Sequence, residues 1–220
     1  MNSIKIHNSP SAYPVGKILC LGHNYADHVR EMKAETPQNP VVFLKPSTAI
    51  IDDAQAICIP RFSTQPHHEV ELVVVIGKDG KDIPRSAAFS HVLGYGVGLD
   101  MTLRDVQAQA KSKGLPWSVS KGFDTSAPVS SIVPSGTIPD PHMLTLRCSV
   151  NGIVRQEAST NSMIFRIDRI IEYISSVFTL ETGDLIFTGT PQGVGTVQHG
   201  DLIEAELVGY VKTSHRVKFL

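Results

Sequence analysis

Two glutamates separated by one residue lead directly into a long apolar run. Glu69-Val70-Glu71 is followed by the aliphatic segment 72–76. Side chains at positions i and i+2 of a strand point to the same face, so Glu69 and Glu71 project together while Val70 points away. Two carboxylates on one face at the mouth of a buried strand repel each other unless a cation or a proton lies between them. The spacing is therefore typical of either a cation site or the solvated end of a strand.

A third carboxylate, Asp100, ends the glycine-rich apolar segment 94–99. Three carboxylates without a cysteine suit a hard, oxygen-binding ion such as Mg²⁺, for which Mn²⁺ can substitute. The ligands carry −3 and the ion +2, which leaves −1, so a neighbouring cation would help an anionic substrate to bind. Two alternatives stay open. In the first, Asp100 only caps a helix or forms a turn. In the second, His67, which shares a strand face with Glu69, either joins the carboxylates in a zinc site or only forms a hydrogen bond with a neighbour.

A histidine and a glutamate three residues apart form a second candidate site. His28 and Glu31 lie in a predicted short helix over about 25–33 and share one of its faces. A carboxylate beside an imidazole fixes the tautomer of the ring and raises its basicity, which is how a general base is made. The alternative is a surface pair without a role.

Two further segments carry polar groups that are candidates for substrate binding. Arg104 and Gln107 lie on one face of a helix predicted from Thr102, the N-cap, to about 111, where we expect Lys111 to be a solvated charge. Thr188–Gly195 is glycine-rich but lacks the Lys-Ser/Thr ending of a phosphate loop, so nucleotide binding is not expected. Its backbone N–H groups suit a carboxylate, and a plain tight turn is the alternative.

The elements that must position these residues are mostly short strands. Asn151-Gly152 separates two of them and is typical of a type I′ hairpin. Isoleucines at helical spacing predict an amphipathic helix over Arg166–Phe178. Strands and helices do not alternate regularly, which predicts a β-rich α+β domain and excludes a doubly wound parallel sheet. The predicted strands are Lys17–Leu21, Val41–Lys45, Val70–Ile76, Leu93–Leu99, Leu144–Val150, Ile153–Glu157, Leu185–Thr188, Asp201–Val208 and Thr213–Phe219.

Composition narrows the class of protein. The 220 residues carry a net charge of −1 with acidic and basic residues mixed, which gives no footprint for nucleic acid or an anionic membrane. Three scattered cysteines favour a reducing compartment with free thiols. We find no signal-peptide-like stretch and no run long enough to span a bilayer, so we expect a cytoplasmic protein, or an organellar one if a short targeting segment has been removed.

Several motifs, in one order along nearly the whole chain, resemble the fumarylacetoacetate hydrolase family. They are most similar to its short, single-domain branch of acylpyruvate hydrolases and oxaloacetate decarboxylases. The motifs are Gly22-His23-Asn24-Tyr25-Ala26-Asp27-His28, Phe43-Leu44-Lys45-Pro46, His68-Glu69-Val70-Glu71-Leu72, Asp100-Met101-Thr102-Leu103-Arg104-Asp105-Val106-Gln107, Leu115-Pro116-Trp117 with Lys121, and Thr188-Gly189-Thr190-Pro191-Gln192-Gly193-Val194-Gly195. Trp117 itself is predicted to serve packing.

The resemblance implies a mixed β-roll and a homodimer, with a family-type catalytic domain over 15–220 after an N-terminal extension over 1–14. It also implies the roles of individual residues. The implied roles are Mg²⁺ ligands (Glu69, Glu71, Asp100), a contact with the substrate or a metal-bound oxygen (Lys121), binding of the substrate carboxylate (Thr190 and its loop) and a place near the pocket wall (Phe43 to Lys45). Together with this match, helical spacing favours His28 and Glu31 as a catalytic pair and Arg104 and Gln107 as substrate-binding residues.

Magnesium bound to a 2-oxo acid stabilises negative charge on the keto oxygen, and this indicates the chemistry. We expect hydrolysis of the C3–C4 bond of acylpyruvates, such as fumarylpyruvate or acetylpyruvate, to pyruvate and a carboxylic acid. Oxaloacetate decarboxylation and keto–enol tautomerisation or isomerisation of 2-oxo acids are alternatives, because all of them use the same enolate. A non-catalytic metal-binding scaffold is the third class, which the intact set of candidate residues disfavours.

Overall fold

The computed structural model describes residues 2–220, in which short strands outnumber helices. The strands are β1 Ser3–Lys5, β2 Ala12–Pro14, β3 Ile18–Gly22, β4 Val41–Lys45, β5 Ile50–Ile51, β6 Ile57–Ile59, β7 Pro66–His68, β8 Val70–Ile76, β9 Val92–Leu99, β10 Thr102–Leu103, β11 Ala127–Pro128, β12 Val133–Pro134, β13 Thr145–Val150, β14 Ile153–Ser159, β15 Leu185–Phe187, β16 Gly195–Thr196, β17 Leu202–Leu207 and β18 Val211–Phe219. The α-helices are α1 Ala26–Glu31, α2 Arg104–Ser112, α3 Ser118–Lys121 and α4 Ile167–Val177.

The central sheet has six strands in the order β12-β9-β8-β15-β3-β4. All of its neighbours are antiparallel except β15 and β3, which run parallel. Every residue of β8 is buried. Leu72 and Val74 belong to one apolar core, whereas Val73 and Val75 belong to another on the opposite face. The continuous aliphatic run of this strand follows from burial on both faces.

The outer sheet has five strands in the order β14-β13-β17-β18-β6. Burial alternates along β13 and β17, so one face packs on the core and the other meets solvent. Leu146, Ala205 and Leu207 of its inner face share a core with Leu72 and Val74 of the central sheet. The amphipathic helix α4 contributes Ile167, Ile170, Ile171 and Ile174 to the same core.

The strands predicted from the sequence are confirmed to within two residues at each end, as are the helix over Arg166–Phe178 and the Asn151-Gly152 turn. The predicted Thr102 cap is wrong. Thr102 lies in β10, Leu103 precedes α2 without a side-chain cap, and Asp105 instead accepts hydrogen bonds from Ser63 and Thr64. Pairing of β10 with β7 takes the place of a cap.

Among residues 2–220, no helix has the length and apolar character needed to cross a membrane. All three cysteines are free thiols, as predicted. The N-terminal hairpin of β1 and β2 packs on the body through the buried side chain of Ile4, and Ile6 forms a bridge with Ile132.

Candidate functional site

The three predicted carboxylates converge at the ends of β8 and β9. Glu69, Glu71 and Asp100 each place one carboxylate oxygen within 4.8 Å of the others, and all three side chains are buried. The Asp100 amide donates to the Glu69 carbonyl at 2.8 Å, which fastens the two strand ends together. His67 is not a member of this group. Its Nε2 lies 3.1 Å from the Thr196 hydroxyl, so the structure gives the zinc alternative no histidine ligand.

Three cations surround the carboxylates. The Lys121 ammonium lies 2.7 Å from Glu69 Oε2 and 2.5 Å from Asp100 Oδ2, and Lys45 Nζ lies 2.8 Å from Asp100 Oδ1. Arg104 forms an ion pair with Glu69. When all three carboxylates are ionised, three negative and three positive groups cancel, and a bound divalent ion would bring the sum to +2.

The two glutamates titrate in opposite directions. Burial raises the pKa of Glu69, but the neighbouring Lys121 and Arg104 cations outweigh burial and hold that pKa well below its usual range. Burial, followed by the like charges of Asp100 and Glu69, raises the pKa of Glu71 well above its usual range. Burial lowers the pKa of Lys121, yet the Asp100 and Glu69 carboxylates raise it on balance to about 12. Glu71 is therefore the carboxylate that most lacks a cation.

The residues present fit a hard divalent ion. Asp100 Oδ1 is buried and accepts no hydrogen bond in the described chain, because the Lys45 ammonium beside it is misaligned for one. Glu71 receives a hydrogen bond from the Gly189 amide at 2.7 Å and forms no ion pair within residues 2–220. Carboxylate oxygens with unfilled acceptor capacity, without a sulfur or imidazole among them, are the donors that such an ion prefers.

The predicted dyad is formed on α1. His28 Nδ1 lies 3.0 Å from Glu31 Oε2. The Gly193 amide donates to the same carboxylate, at 3.1 and 3.3 Å from its two oxygens. A carboxylate can only accept here, which assigns the proton of a neutral His28 ring to Nδ1 and leaves a lone pair on Nε2. The imidazole is buried and lines the cleft above the carboxylates.

The Thr188–Gly195 loop binds carboxylates of the protein itself, through the Gly189 amide to Glu71 and the Gly193 amide to Glu31. Both glycines have φ near +94° and +93°, where side chains are disfavoured. A Cβ on Gly193 would also lie 2.2 Å from a carbonyl oxygen. Thr190 lines the cleft, but its hydroxyl donates to the Val70 carbonyl at 2.8 Å, so its donor is already occupied.

The cleft extends from the carboxylates to the dyad. Arg104 and Gln107 both line it, as predicted from their shared helix face, and bond each other at 2.7 Å. Lys111 and Trp117 also line it, with the Lys111 ammonium 4.9 Å from the Trp117 ring centroid. Lys111 is exposed, as predicted, although it also lines the cleft. The Trp117 ring packs edge-on against Phe43, as predicted, and lines the cleft as well. The full lining is Leu21, Gly22, His23, His28, Met32, Phe43, Glu69, Glu71, Arg104, Gln107, Lys111, Trp117, Lys121 and Thr190.

Two buried residues support the site without belonging to the predicted metal-binding, catalytic or substrate-binding sets. Lys45, whose ammonium contacts the carbonyls of Lys121 and Ser126, positions α3 against the carboxylates. Gln156 of β14 is buried and crosses from the outer sheet, where its Oε1 accepts from the Val70 amide and its Nε2 donates to the Thr190 hydroxyl. A lysine ending an apolar strand was a usable signal for Lys45, whereas nothing local marks Gln156.

The comparisons with known proteins agree with this geometry. The sequence profile described as fumarylacetoacetate (FAA) hydrolase C-terminal matches residues 17–218. The chain belongs to this family. The predicted family, its β-rich mixed fold and its enzymatic character are thereby confirmed.

Two relatives and one solved structure show the range of the family. The chain is 52% identical over 201 residues to mouse "Oxaloacetate tautomerase FAHD1, mitochondrial", covering 91% of each chain. The Arabidopsis thaliana protein of the same name is 47% identical over 193 residues, covering 88% of this chain and 86% of its own. The structure of fumarylpyruvate hydrolase from Pseudomonas aeruginosa, in complex with Mn²⁺ and pyruvate, has a TM-score of 0.95 at 38% identity and covers 99% of this chain and 96% of its own. The names of both relatives place them in mitochondria, and a cytoplasmic location for this chain stays a prediction.

Proposed function

We propose that this protein is a Mg²⁺-dependent enzyme that interconverts the keto and enol forms of oxaloacetate. The observation that carries the proposal is the buried carboxylate group facing the His28–Glu31 dyad across one cleft. The mouse relative at 52% identity is named for this activity. A divalent ion on Glu69, Glu71 and Asp100 would act as a Lewis acid that favours negative charge on the 2-oxo oxygen.

The chain's own residues supply the proton transfer. In the proposed mechanism His28 Nε2 takes a proton from C3 of the keto form, and the imidazolium then delivers that proton to the 2-oxo oxygen, which gives the enol. The reverse transfer restores the keto form. Glu31 accepts from Nδ1–H, which orients the ring and stabilises the imidazolium that forms. Arg104 and Gln107 are proposed to orient the substrate. Lys121 is proposed to hold the ligand carboxylates in place and to contact the substrate oxygens.

Charge favours a dianionic substrate. The carboxylates and the three cations that touch them sum to zero, so a bound Mg²⁺ leaves +2 at the inner end of the cleft. Oxaloacetate and fumarylpyruvate are dianions at neutral pH and compensate this charge, whereas acetylpyruvate carries a single negative charge. The three neighbouring cations thus change the net charge of the metal-loaded site from the −1 expected for the ligands and the ion alone to +2.

Hydrolysis of acylpyruvates is the second candidate. The Pseudomonas aeruginosa structure at a TM-score of 0.95 is a fumarylpyruvate hydrolase. The same dyad that takes a proton from carbon can take one from water, which then attacks the distal carbonyl of an acylpyruvate. Loss of CO₂ from oxaloacetate requires no water and would proceed at the same site.

The experiment compares the reactions in one preparation. Purified protein is assayed with Mg²⁺ for oxaloacetate enol–keto exchange by ultraviolet absorbance, for pyruvate release from fumarylpyruvate and acetylpyruvate, and for CO₂ release from oxaloacetate. We expect rapid exchange that EDTA abolishes and added Mg²⁺ restores. Exchange at the uncatalysed rate, or exchange that EDTA leaves intact, would contradict the proposal. Faster turnover of an acylpyruvate than of oxaloacetate would favour the second candidate.

We also propose a homodimer, with residues 1–14 as an extension to the catalytic domain over 15–220. Exposed apolar side chains lie along β4, at Val41 and Leu44, and in the segment 115–119, at Leu115. They support a surface for pairing. A monomer by light scattering at micromolar concentration would contradict the dimer.

A further inference from the structure

The cations of the cleft fall into two groups. Lys45, Lys121 and Arg104 each contact at least one ligand carboxylate and are neutralised by it. Lys111 forms neither a salt bridge nor a hydrogen bond with another side chain of residues 2–220, and its ammonium lies only over the face of Trp117. Arg104 keeps one buried donor, Nε–H, without a partner, whereas the ammonium of the exposed Lys111 can donate all of its protons to a ligand.

His23 is the second lining group with unused capacity. Neither ring nitrogen bonds another group of the described chain, and Nδ1 is buried without a partner. A buried N–H without an acceptor is costlier than an unfilled lone pair, which favours the tautomer with its proton on Nε2. That N–H then faces the cleft. The ring stacks beside His28 at a centroid distance of 6.4 Å.

The backbone conformation of His23 also indicates a ligand site. Its φ of +60° is a left-handed conformation that glycine or asparagine adopts more readily than histidine. Residues held in such conformations cluster at ligand sites, because the surrounding structure must enforce them. Here the conformation brings an imidazole to the wall of the cleft between Gly22 and Asn24, where Asn24 is anchored by bonds to Phe165 and Thr188.

His23 and Lys111 line the same cleft. Partial burial lowers the pKa of Lys111, and the like charges of Arg104 and Lys121 lower it further. Burial likewise lowers the pKa of His23, with Lys111 the next cause. This wall of the cleft is therefore a region of positive potential, and an anion placed against it would relieve the repulsion.

Given the function proposed above, we infer that His23 Nε2–H and the Lys111 ammonium form a subsite for the distal carboxylate of a 2-oxo diacid. The 2-oxo acid end of the substrate is drawn to the inner carboxylate–cation group, and a second carboxylate extends toward the wall with free donors. The subsite makes the enzyme selective for diacids over monoacids of equal length. Trp117 contributes through the face of its ring, over which the Lys111 ammonium lies.

The test is a binding measurement that needs no turnover. Isothermal titration calorimetry of the Mn²⁺-loaded protein is run with 2-oxoglutarate and with 2-oxopentanoate, which differ only in a carboxylate or a methyl group at the distal end. We expect the wild type to bind the diacid about tenfold more tightly than the monoacid, because one charge-assisted hydrogen bond, at the lower limit of its usual strength, corresponds to about this ratio of dissociation constants. Lys111→Met keeps an unbranched apolar side chain but removes the ammonium, and is expected to reduce the ratio to about twofold or less. His23→Asn accepts the left-handed backbone, shortens the donor and is expected to reduce the ratio as well.

Lys113→Met is the matched control, since it removes the same charge one residue beyond α2 and outside the cleft lining. It is expected to keep the wild-type ratio, and unchanged affinity for the monoacid shows that each variant is folded. Equal affinity of the wild type for the two acids overturns the subsite alone, as does an equal loss for both acids in Lys111→Met. Binding of neither acid to the wild type overturns the proposed function and the subsite together.

Discussion

The two main sheets use similar apolar residues but meet different surroundings. The inner strands of the central sheet, β8 and β9, are buried on both faces, and the functional charges Glu69 and Asp100 lie at their ends, where the chain leaves the core. The outer sheet has one solvated face, where charged side chains such as Glu204 and Glu206 alternate with buried ones. Gln156 of this sheet bonds Val70 and Thr190 at the site, and the rest of the sheet contributes to stability.

The difference teaches where a buried charge is tolerated. At the ends of β8 and β9 three carboxylates are compensated by three cations whose positions depend on one another. Removing one member leaves another buried without its partner, which is costly. On the outer sheet Arg147 pairs with Glu157 and Glu206 at half-exposed positions, where such pairs contribute little. Changes in the central sheet should therefore affect the reaction most, and changes in the outer sheet mainly stability.

The largest effect is expected from Asp100→Asn. The exchange preserves shape but removes one of three ligand charges, and the Lys45 and Lys121 ammonium groups lose their common partner. Loss of Lewis-acid assistance worth several kcal/mol should lower turnover by at least about 10³-fold. Mn²⁺ titration and the turnover rate measure the change. Asp124→Asn at an exposed position is the control, and an active Asp100→Asn variant would mean that the metal assignment is wrong.

Glu31→Ala should separate the reactions. If the dyad moves protons, hydrolysis of acylpyruvates and enol–keto exchange should fall by about 10²–10⁴-fold, the usual contribution of a positioned acid–base group. Decarboxylation of oxaloacetate, which has no water to activate, should fall much less. All three rates are measured on one preparation, with Glu35→Ala just beyond α1 as the control. Equal losses would show that α1 orders the substrate and supplies no base.

Gln156→Met tests the bridge between the sheets. The methionine has a similar volume but leaves the Val70 amide and the His68 ring without their shared acceptor. Unsatisfied buried groups should lower the free energy of unfolding by about 1–3 kcal/mol. The Thr190 hydroxyl loses its donor as well, so turnover should fall more modestly than in Asp100→Asn. Urea unfolding gives the stability, and Gln198→Met on the exposed loop should leave it unchanged.

The smallest effect concerns pH and His215 of the outer sheet. Its ring is buried between the Thr213 hydroxyl and the Gln55 carbonyl, and burial lowers its pKa from 6.5. The unfolded chain therefore takes up a proton first, so the stabilisation is complete above about pH 6.5 and is lost as the pH falls below it. His215→Gln should reduce the slope of unfolding free energy between pH 6.5 and 5 by up to about 1.4 kcal/mol per pH unit. An unchanged slope would show that the ring is protonated in the folded protein.

Local chemistry determined most of the strands and the identity of the candidate ligands. A period of two places Glu69 and Glu71 on one face, and an uninterrupted aliphatic run specifies a strand buried on both sides, so both features follow from residues adjacent in the sequence. The His28–Glu31 pair follows in the same way from helical spacing. These predictions required no knowledge of distant residues.

Contacts between distant segments decided the rest. Thr102 joins β10 because β7, more than thirty residues earlier in the chain, offers it backbone partners that outcompete a local cap. Gln156 enters the site because β14 pairs at the edge of a sheet whose inner face packs on β8. Lys111 reaches Trp117 because the chain turns back after α2. Each outcome depends on the relative placement of elements, which local spacing does not encode, because burial and hydrogen bonding are settled only when the sheets meet.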